Sequence, residues 1–582
     1  MPELHSQEMR ARAPEIDSLR LGVGWTTKDL GKPWVLVETV GGDSHPCSVH
    51  LRELAQVVRD GVIEAGGVPG RYDCTDICDG ICQGTPAMSL SLPSREVIAM
   101  AVEMHSVAGH FDGMVLISGS DKSLPGHLVA AARLKMPTVV VPGGVMVSGP
   151  TGQTLPHPNM SLEQVGTIYA QLERGEISRE EYGFLREHAC PSRGACNFYG
   201  TAGTMQVMAE ALGLALPGSA CRPMHLFMMD RGCREAGNRI VEAIKEGLTA
   251  GDILTEKAFD NAIVVHAATG GSTNALLHLP AIAREASVRF DLERVQEIND
   301  RVPFITNVRP NGDHTDDLLW YAGGVPRIMW ELRDFLHLDA MTTTGRTLGE
   351  NLESLKKSGW YEQMPRFLAN YGLRVEDVIH PASAPIQHRG ALAILRGNLA
   401  PQGAVARRTS IDPAVHHFVG RARVFERQDD ALKAVFQKKV RPGDAVIIRY
   451  EGPKASGMPE QFYVTEAIAS DPELRASVAL ITDGRFSGGS RGPCIGHVSP
   501  EAATGGPIAL VEEDDLILVD INARRLDIVG VAGRELRPVE VERVLEDRRA
   551  RWQRPVLPQK RGLLALYSHL ASSADEGGVL LV

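Results

Sequence analysis

A short apolar run followed directly by a polar loop, at residues 114–126, constrains the fold more than any other feature of the chain. Residues 114–117 (Met-Val-Leu-Ile) are typical of a buried strand, and residues 118–126 (Ser-Gly-Ser-Asp-Lys-Ser-Leu-Pro-Gly) follow it. Asp121 and Lys122 therefore lie just beyond the carboxyl end of a strand, where open α/β sheets bind their ligands. The pattern predicts an α/β domain with a polar site at that edge of its sheet.

The same alternation continues from about residue 35 to about residue 379. Short apolar runs predict buried strands, and longer amphipathic stretches predict helices. The clearest strands are 114–117, 138–141 and 263–265, and the clearest helices are 97–104, 205–212 and 275–284. Alternating strands and helices favour a parallel sheet covered by helices. The residues before this region, 1–35, are polar and mixed, which predicts an extended arm.

The pattern changes after residue 381. Short apolar runs separated by Gly, Pro and Asp now dominate, which is typical of a β-rich domain, either a barrel or a sandwich. These runs are 391–395, 445–449, 478–481, 508–511 and 516–519, with one helix predicted at 429–436. We therefore expect a domain boundary near residues 380–388.

The composition limits the class of protein. With 582 residues, 43% apolar and 23% charged, the chain is too long for one core and is typical of a globular protein of two or more domains. A net charge of −11 argues against a nucleic-acid-binding surface, which needs a basic patch. The sequence has neither an apolar run long enough for a membrane helix nor an apolar stretch near its start that would resemble a signal peptide, so we expect no membrane partner and a cytoplasmic location.

Nine cysteines in such a chain favour free thiols, metal ligation or catalysis over disulfides. Cys47 follows a proline near the predicted start of a helix, where a thiolate is stabilised. Cys196 lies among small residues that allow a bulky group to approach. Taken alone, Cys47 is also consistent with a packed thiol, and a packed thiol is the simplest interpretation of Cys221, Cys233 and Cys494.

Acidic residues suggest a second kind of site. Asp79, Asp121 and Glu451 offer hard oxygen ligands of the kind that Mg²⁺ prefers. Lys122, next to Asp121, is equally consistent with an ordinary ion pair.

The loop at residues 266–274 contains Thr269, Ser272 and Thr273 between a predicted strand and a helix. Backbone N–H groups at such a position bind anions, so a substrate carboxylate or phosphate would fit there. A tight connection without any ligand is the alternative. No glycine-rich nucleotide-binding motif follows a strand anywhere in the sequence.

Five segments together resemble a known family. They are residues 78–88, 118–126, 195–205, 266–274 and 481–502. In these segments the chain is similar to the dihydroxy-acid and sugar-acid dehydratases, which include 6-phosphogluconate dehydratase. The resemblance extends over about residues 47–528, most of the chain.

The resemblance implies an arm at residues 1–35, an α/β domain at 36–384 and a β-barrel domain at 385–582, with the active site between the two domains. It also implies a homodimer or homotetramer. The implied reaction removes water from a 2,3-dihydroxy acid, either branched-chain or sugar acid, to give a 2-keto-3-deoxy acid.

The resemblance further implies two cofactors. Mg²⁺ would be bound by Asp79, Asp121, Glu451 and a carbamylated Lys122, and Ser487 would be the catalytic base. A [2Fe–2S] cluster would be held by Cys47, Cys196 and the residue at position 120.

Position 120 departs from the family, because Ser120 replaces the usual cysteine. An iron–sulfur cluster prefers thiolates, so the cluster could persist on a serine oxygen, be less stable or be absent. Cys74, Cys78 or Cys82 could also supply the third thiolate. The alternative function is therefore a cluster-deficient, non-catalytic or repurposed paralogue that binds a hydroxy acid.

Overall fold

The computed structural model describes residues 4–150, 159–557 and 560–581. A parallel four-stranded sheet lies at the centre of the N-terminal part, in the order β2-β1-β3-β4. Its strands are β1 (Trp34–Thr39), β2 (Val68–Asp73), β3 (Gly113–Ser118) and β4 (Thr138–Pro142), and a two-stranded ribbon, β5 (Gly149–Pro150) and β6 (Asn159–Met160), lies apart from it.

Both faces of the four-stranded sheet are buried. Val35 and Val37 of β1 pack in one apolar cluster, whereas Leu36, between them, packs in another on the opposite face. A strand buried on both sides is apolar throughout, which is why the short apolar runs predicted β3 and β4 correctly.

Helices cover both faces of this sheet and form a further layer beyond it. In the N-terminal part they are α1 (His5–Arg12), α2 (Glu15–Gly22), α3 (Thr27–Leu30), α4 (Leu51–Glu64), α5 (Asp79–Cys82), α6 (Ser91–Ala108), α7 (Ser123–Leu134), α8 (Gln164–Glu173), α9 (Arg179–His188), α10 (Thr201–Ala211), α11 (Phe227–Glu246), α12 (Ala250–Ile253), α13 (Glu256–Thr269), α14 (Ala275–Ala286), α15 (Leu292–Arg301), α16 (Asp316–Tyr321), α17 (Gly324–Glu331), α18 (Leu348–Lys357), α19 (Trp360–Leu368) and α20 (Val375–Val378).

The C-terminal part is a curled, nine-stranded mixed sheet that forms a half-barrel, in the order β15-β14-β13-β9-β10-β11-β12-β8-β7. Its strands are β7 (Leu392–Leu395), β8 (Gly403–Arg407), β9 (His417–Phe425), β10 (Asp444–Ile448), β11 (Ala479–Thr482), β12 (Cys494–Ser499), β13 (Leu516–Asp520), β14 (Arg525–Val531) and β15 (Arg534–Glu535). Its helices are α21 (Gln428–Phe436), α22 (Pro453–Ser456), α23 (Phe462–Ala469), α24 (Pro472–Arg475), α25 (Pro538–Arg551) and α26 (Gly562–Leu570). The predicted fold class, a helix-covered parallel sheet followed by a barrel-like β part, is confirmed.

The open side of the half-barrel is spanned by a few backbone hydrogen bonds. Arg396, just after β7, donates its N–H to the carbonyl of Arg524 at 3.0 Å and accepts from the N–H of Leu526 at 2.9 Å. The exact domain boundaries stay a prediction.

Three local expectations were wrong. The arm before residue 35 is helical rather than extended, because Ser6 and Arg10 find partners in Asp112 and Asp17 that hold α1 and α2 in place. Residues 263–265 lie inside helix α13, since a fully buried helix and a buried strand show the same apolar run. Residues 508–511 form a 3₁₀ turn and its exit, because Pro507 at its start favours a turn over a central strand.

The end of the chain packs back onto the N-terminal part. The Arg95 guanidinium, in α6, is fully buried and donates to the carbonyls of Gly577 and Gly578 at 2.9 and 3.0 Å. Among the described residues, none of the helices has the length and apolarity needed to cross a bilayer.

Candidate active site

The candidate site lies at the carboxyl ends of the parallel strands. The loop after β1 carries Cys47, the loop after β2 carries Cys78 and Asp79, and the loop after β3 carries Ser120, Asp121 and Lys122. This is the edge of the sheet at which the sequence predicted a ligand. The C-terminal part covers this edge with Glu460, Arg485 and Ser487.

Three carboxylates meet at this edge. Oxygens of Asp79, Asp121 and Glu460 all lie within 4.8 Å of one another. The Lys122 ammonium group is fully buried and donates to Asp79 Oδ2 at 2.7 Å. The structure therefore brings together Asp79, Asp121 and Lys122, as the sequence predicted, and adds Glu460.

The electrostatics of this cluster favour a cation. Burial raises the pKa of Asp79, but the charges of Lys122 and Arg485 outweigh that effect and lower it overall. Burial and then the neighbouring Asp79 raise the pKa of Asp121 to about 8. Repulsion between carboxylates is relieved when a divalent cation binds between them, and their oxygens are the ligands that Mg²⁺ prefers.

Glu460, rather than Glu451, joins this cluster. Its carboxylate accepts hydrogen bonds from Asn274 Nδ2 at 2.8 Å and from Arg485 and Gln83. Glu451 lies outside the cluster, where its carboxylate accepts from Ser456 Oγ at 2.8 Å. The sequence reasoning missed Glu460, since only the fold brings it to the buried Arg485, which needs an acidic partner.

Three thiols form a second group. The contact of Cys47 with Cys196 and with Cys78 raises the pKa of Cys47 well above its usual range. The same contact lowers the pKa of Cys78 to about 7. The Cys47 and Cys78 sulfur atoms and one ring nitrogen of His45 lie within 4.8 Å of one another. Cys47 and Cys196 are thus brought together, with Cys78 as a third thiol.

Ser120 lies beside the three thiols, but its hydroxyl is directed at a backbone carbonyl. Its Oγ donates to the carbonyl of Ile77 at 2.9 Å. The preceding Gly119 packs so closely on Cys47 that a Cβ atom there would lie 2.7 Å from the Cys47 carbonyl oxygen. Ser120 therefore supports the loop that carries Cys78.

A cavity of about 160 Å³ connects the two groups. Its lining includes Asp79, Asp121, Cys196, Glu460 and Ser487. The predicted base is therefore exposed to the same space as the carboxylates and one of the thiols.

The Ser487 turn packs tightly against the first residues of α10. A Cβ atom at Gly488 would lie 2.6 Å from the backbone nitrogen of Thr201, so only glycine fits there. Ser487 Oγ accepts the N–H of Gly489 at 3.3 Å, and Arg407 Nη2 donates to the Gly488 carbonyl at 2.9 Å. The turn that carries the hydroxyl therefore packs against the positive end of a helix dipole.

The loop at 266–274 connects two helices, α13 and α14, rather than a strand and a helix. Thr269 and Ser272 are fully buried and bonded within the protein: Thr269 Oγ1 donates to the Val265 carbonyl at 2.8 Å, and Ser272 Oγ bonds Thr201 Oγ1 at 2.9 Å. Neither residue, nor Thr273, belongs to the lining of the described cavity. The loop contacts the site through Asn274, which the sequence analysis did not single out.

Comparisons with known proteins identify the family of the chain. Residues 32–351 match the family model described as "Dihydroxy-acid/6-phosphogluconate dehydratase N-terminal", and residues 377–578 match its C-terminal counterpart. The chain is 42% identical to "Dihydroxy-acid dehydratase" of Syntrophobacter fumaroxidans, over 97% of this chain and 96% of that protein. It is 41% identical to proteins of the same name from Caldanaerobacter subterraneus and Methanosarcina barkeri, over 98% of this chain and 97% and 98% of those proteins. The chain therefore belongs to the dihydroxy-acid/6-phosphogluconate dehydratase family.

Proposed function

We propose that this chain is a hydro-lyase that removes water from a 2,3-dihydroxy carboxylic acid and releases a 2-keto-3-deoxy acid. The observation that carries the proposal is the convergence of the carboxylates, Cys196 and Ser487 on one cavity. The full-length similarity to dihydroxy-acid dehydratases makes a non-catalytic paralogue the less favoured alternative.

The residues present fit both implied cofactors. Asp79, Asp121 and Glu460 supply hard oxygen ligands for Mg²⁺, and the thiols supply soft ligands for an iron–sulfur cluster. When bound, the two groups would supply Lewis acidity toward the carboxylate end and the leaving hydroxyl of the substrate.

Ser487 would remove the proton from C2. A neutral hydroxyl is a weak base, so its environment has to favour the alkoxide. The N–H of Gly489, which donates to Ser487 Oγ at 3.3 Å, would stabilise negative charge there, and the N-terminus of α10 packs against the neighbouring Gly488. Removal of the C2 proton with loss of the C3 hydroxyl gives an enol, which converts to the keto acid.

Lys122 and Arg485 would hold the carboxylates in place. Lys122 donates to Asp79, and Arg485 donates through Nη1 to Glu460 and through Nη2 to Ser91 Oγ at 2.8 Å. Ser91 Oγ in turn donates to Asp79 Oδ1 at 2.8 Å. One hydrogen-bonded network thus joins the carboxylates contributed by the two parts of the chain.

The cavity favours a branched-chain acid over a sugar acid. Much of its lining is apolar and comes from Leu162, Val165, Phe198, Phe462 and Tyr463. Glu163 also lines it, but its charge is offset by Arg491, whose Nη2 lies 3.7 Å from Glu163 Oε1. An apolar wall stabilises the methyl groups of a branched-chain acid.

Anaerobic turnover assays test the function. We expect 2-keto acid from 2,3-dihydroxy-3-methylbutanoate with added Mg²⁺, and a lower kcat/KM with a six-carbon aldonate. Absence of keto acid from either class, with protein that contains both cofactors, would contradict the proposed reaction. Faster turnover of the aldonate would contradict only the substrate preference.

We also propose a homodimer or a homotetramer. Met100, Met104 and Val107 form an exposed apolar stripe along α6, which a second subunit would bury. Light scattering at micromolar concentration tests this, and a stable monomer would contradict it. The cytoplasmic location stays a prediction.

A further inference from the structure

We infer that Cys78 replaces position 120 as the third thiolate ligand of the iron–sulfur cluster, and that Ser120 supports Cys78 instead of binding iron. The inference rests on the proposed function only in taking an iron–sulfur cluster as the cofactor. It concerns residues of this chain, since Ser120 stands where the family usually has cysteine.

The first argument is the position of the thiols. The Cys47 and Cys78 sulfur atoms lie within 4.8 Å of one another, together with a ring nitrogen of His45, and Cys196 is a further neighbour of Cys47. The three cysteines come from three different loops, yet the fold brings them to one point beside the cavity. Three thiolates hold a cluster and leave one iron position open for a substrate.

The second argument is the hydroxyl of Ser120. Its Oγ already donates to the Ile77 carbonyl at 2.9 Å, and Ile77 directly precedes Cys78. As an iron ligand, the serine would have to lose its proton and with it this hydrogen bond. Because iron–sulfur clusters prefer soft thiolates, the available Cys78 is the better donor.

The third argument distinguishes Cys78 from its neighbours in the sequence. Cys74 packs beside the apolar cluster that contains Val37 and Leu54, on the α4 side of the sheet. Cys82 ends the short helix α5, four residues after Cys78, and does not belong to the group that the Cys47 and Cys78 sulfurs form. Of the three cysteines 74, 78 and 82, only Cys78 joins Cys47.

His45 provides a second observation that points to a ligand here. Its side chain is 94% buried, and Nδ1 has no hydrogen-bond partner among the described residues, while Nε2 lies 3.1 Å from Ser48 Oγ. A ring nitrogen of His45 belongs to the same 4.8 Å group as the Cys47 and Cys78 sulfurs. The donors at this point are therefore those of a soft-metal site.

The test compares anaerobically reconstituted wild type with Cys78→Ser, Ser120→Ala, His45→Gln and the matched control Cys82→Ser. Iron and sulfide per chain and the visible absorption spectrum are the readouts, with a thermal melt of each apo-protein to confirm folding. We expect Cys78→Ser to lose about tenfold or more of its bound iron, because a thiolate is replaced by a hard oxygen. Ser120→Ala and Cys82→Ser should keep their iron, although the cluster of Ser120→Ala should decay faster in air.

A second measurement needs no substitution. Iodoacetamide should alkylate Cys78 in the apo-protein and spare it in the cluster-loaded protein, while the exposed Cys190 is alkylated in both. This footprint keeps the inference testable if Cys78→Ser does not fold.

Several outcomes would overturn the inference. They are iron loss in Ser120→Ala or His45→Gln with full retention in Cys78→Ser, equal alkylation of Cys78 with and without the cluster, or a wild type that takes up no iron. Dehydration by iron-free protein would overturn this inference and leave the proposed function standing. A cluster bound through Cys78 in a protein that dehydrates nothing would support this inference and contradict the proposed function.

Discussion

Lys122 Nζ lies 2.7 Å from Asp79 Oδ2, with the Lys122 side chain fully buried and that of Asp79 only 4% exposed. Removing one member of a buried ion pair leaves the other charge without compensation. We expect Lys122→Met to lower the free energy of unfolding by about 3 kcal/mol and to abolish turnover. Urea denaturation and the keto-acid assay measure the two effects. Lys433→Met, on an exposed face of α21, is the control and should change neither.

Ser487→Ala tests the proposed base. We expect kcat to fall about a thousandfold, because the group that accepts the C2 proton is gone, while the melting temperature stays the same. Ser490→Ala, in the same turn but bonded to Thr465 rather than lining the cavity, should keep most of the activity. A kcat of Ser487→Ala within about tenfold of the wild-type kcat would show that Ser487 is not the base.

The sequence predicted Glu451 as a Mg²⁺ ligand, whereas the structure places Glu460 in the carboxylate cluster. Glu460→Gln removes one charge from the carboxylate cluster, so we expect Mg²⁺ affinity to fall about tenfold or more. Glu451→Gln leaves the cluster intact and should have little effect. Calorimetric titration of the folded variants with Mg²⁺ measures both. The reverse order of effects would restore Glu451 as the ligand.

His127 makes stability depend on pH. Burial lowers its pKa to about 3, and neither ring nitrogen has a hydrogen-bond partner among the described residues. Between pH 6.5 and about 3 the unfolded chain binds a proton that the folded chain does not. The free energy of unfolding should therefore decrease as pH falls through that window, by about 1.4 kcal/mol per pH unit for this one group.

Replacing His127 with leucine removes this contribution. We expect the unfolding free energy of His127→Leu to fall less steeply than that of the wild type between pH 6.5 and 4, with His225→Leu, at an exposed position, as the control. Parallel slopes for His127→Leu and wild type would show that His127 is protonated within the folded protein.

The sequence could locate part of the site because parallel strands end at one edge of a sheet. Asp79, Asp121 and Lys122 follow strands β2 and β3, so their proximity followed from the order of elements. Glu460 follows no strand directly and reaches the cluster only because the half-barrel packs over that edge. Such pairing between distant parts of a chain leaves no periodic signal.

The cysteines show the same limit. A spacing of four residues among Cys74, Cys78 and Cys82 made all three equal candidates. Only the turn of the chain after β2 directs Cys78 toward Cys47. Residues 263–265 were predicted as a strand for a related reason: burial on all sides removes the periodicity that distinguishes a helix from a strand.

The contact between Arg95 and the carbonyls of Gly577 and Gly578 links two glycines that are remote in sequence to the carboxylate cluster. Arg95 lies in α6, which begins with Ser91, and Ser91 bonds both Asp79 and Arg485. Gly577 and Gly578 therefore act on the carboxylate cluster at a distance, because the helix that they hold carries Ser91 at its first position. A substitution that shifts the backbone at Gly577 or Gly578 would disturb Asp79 without touching it.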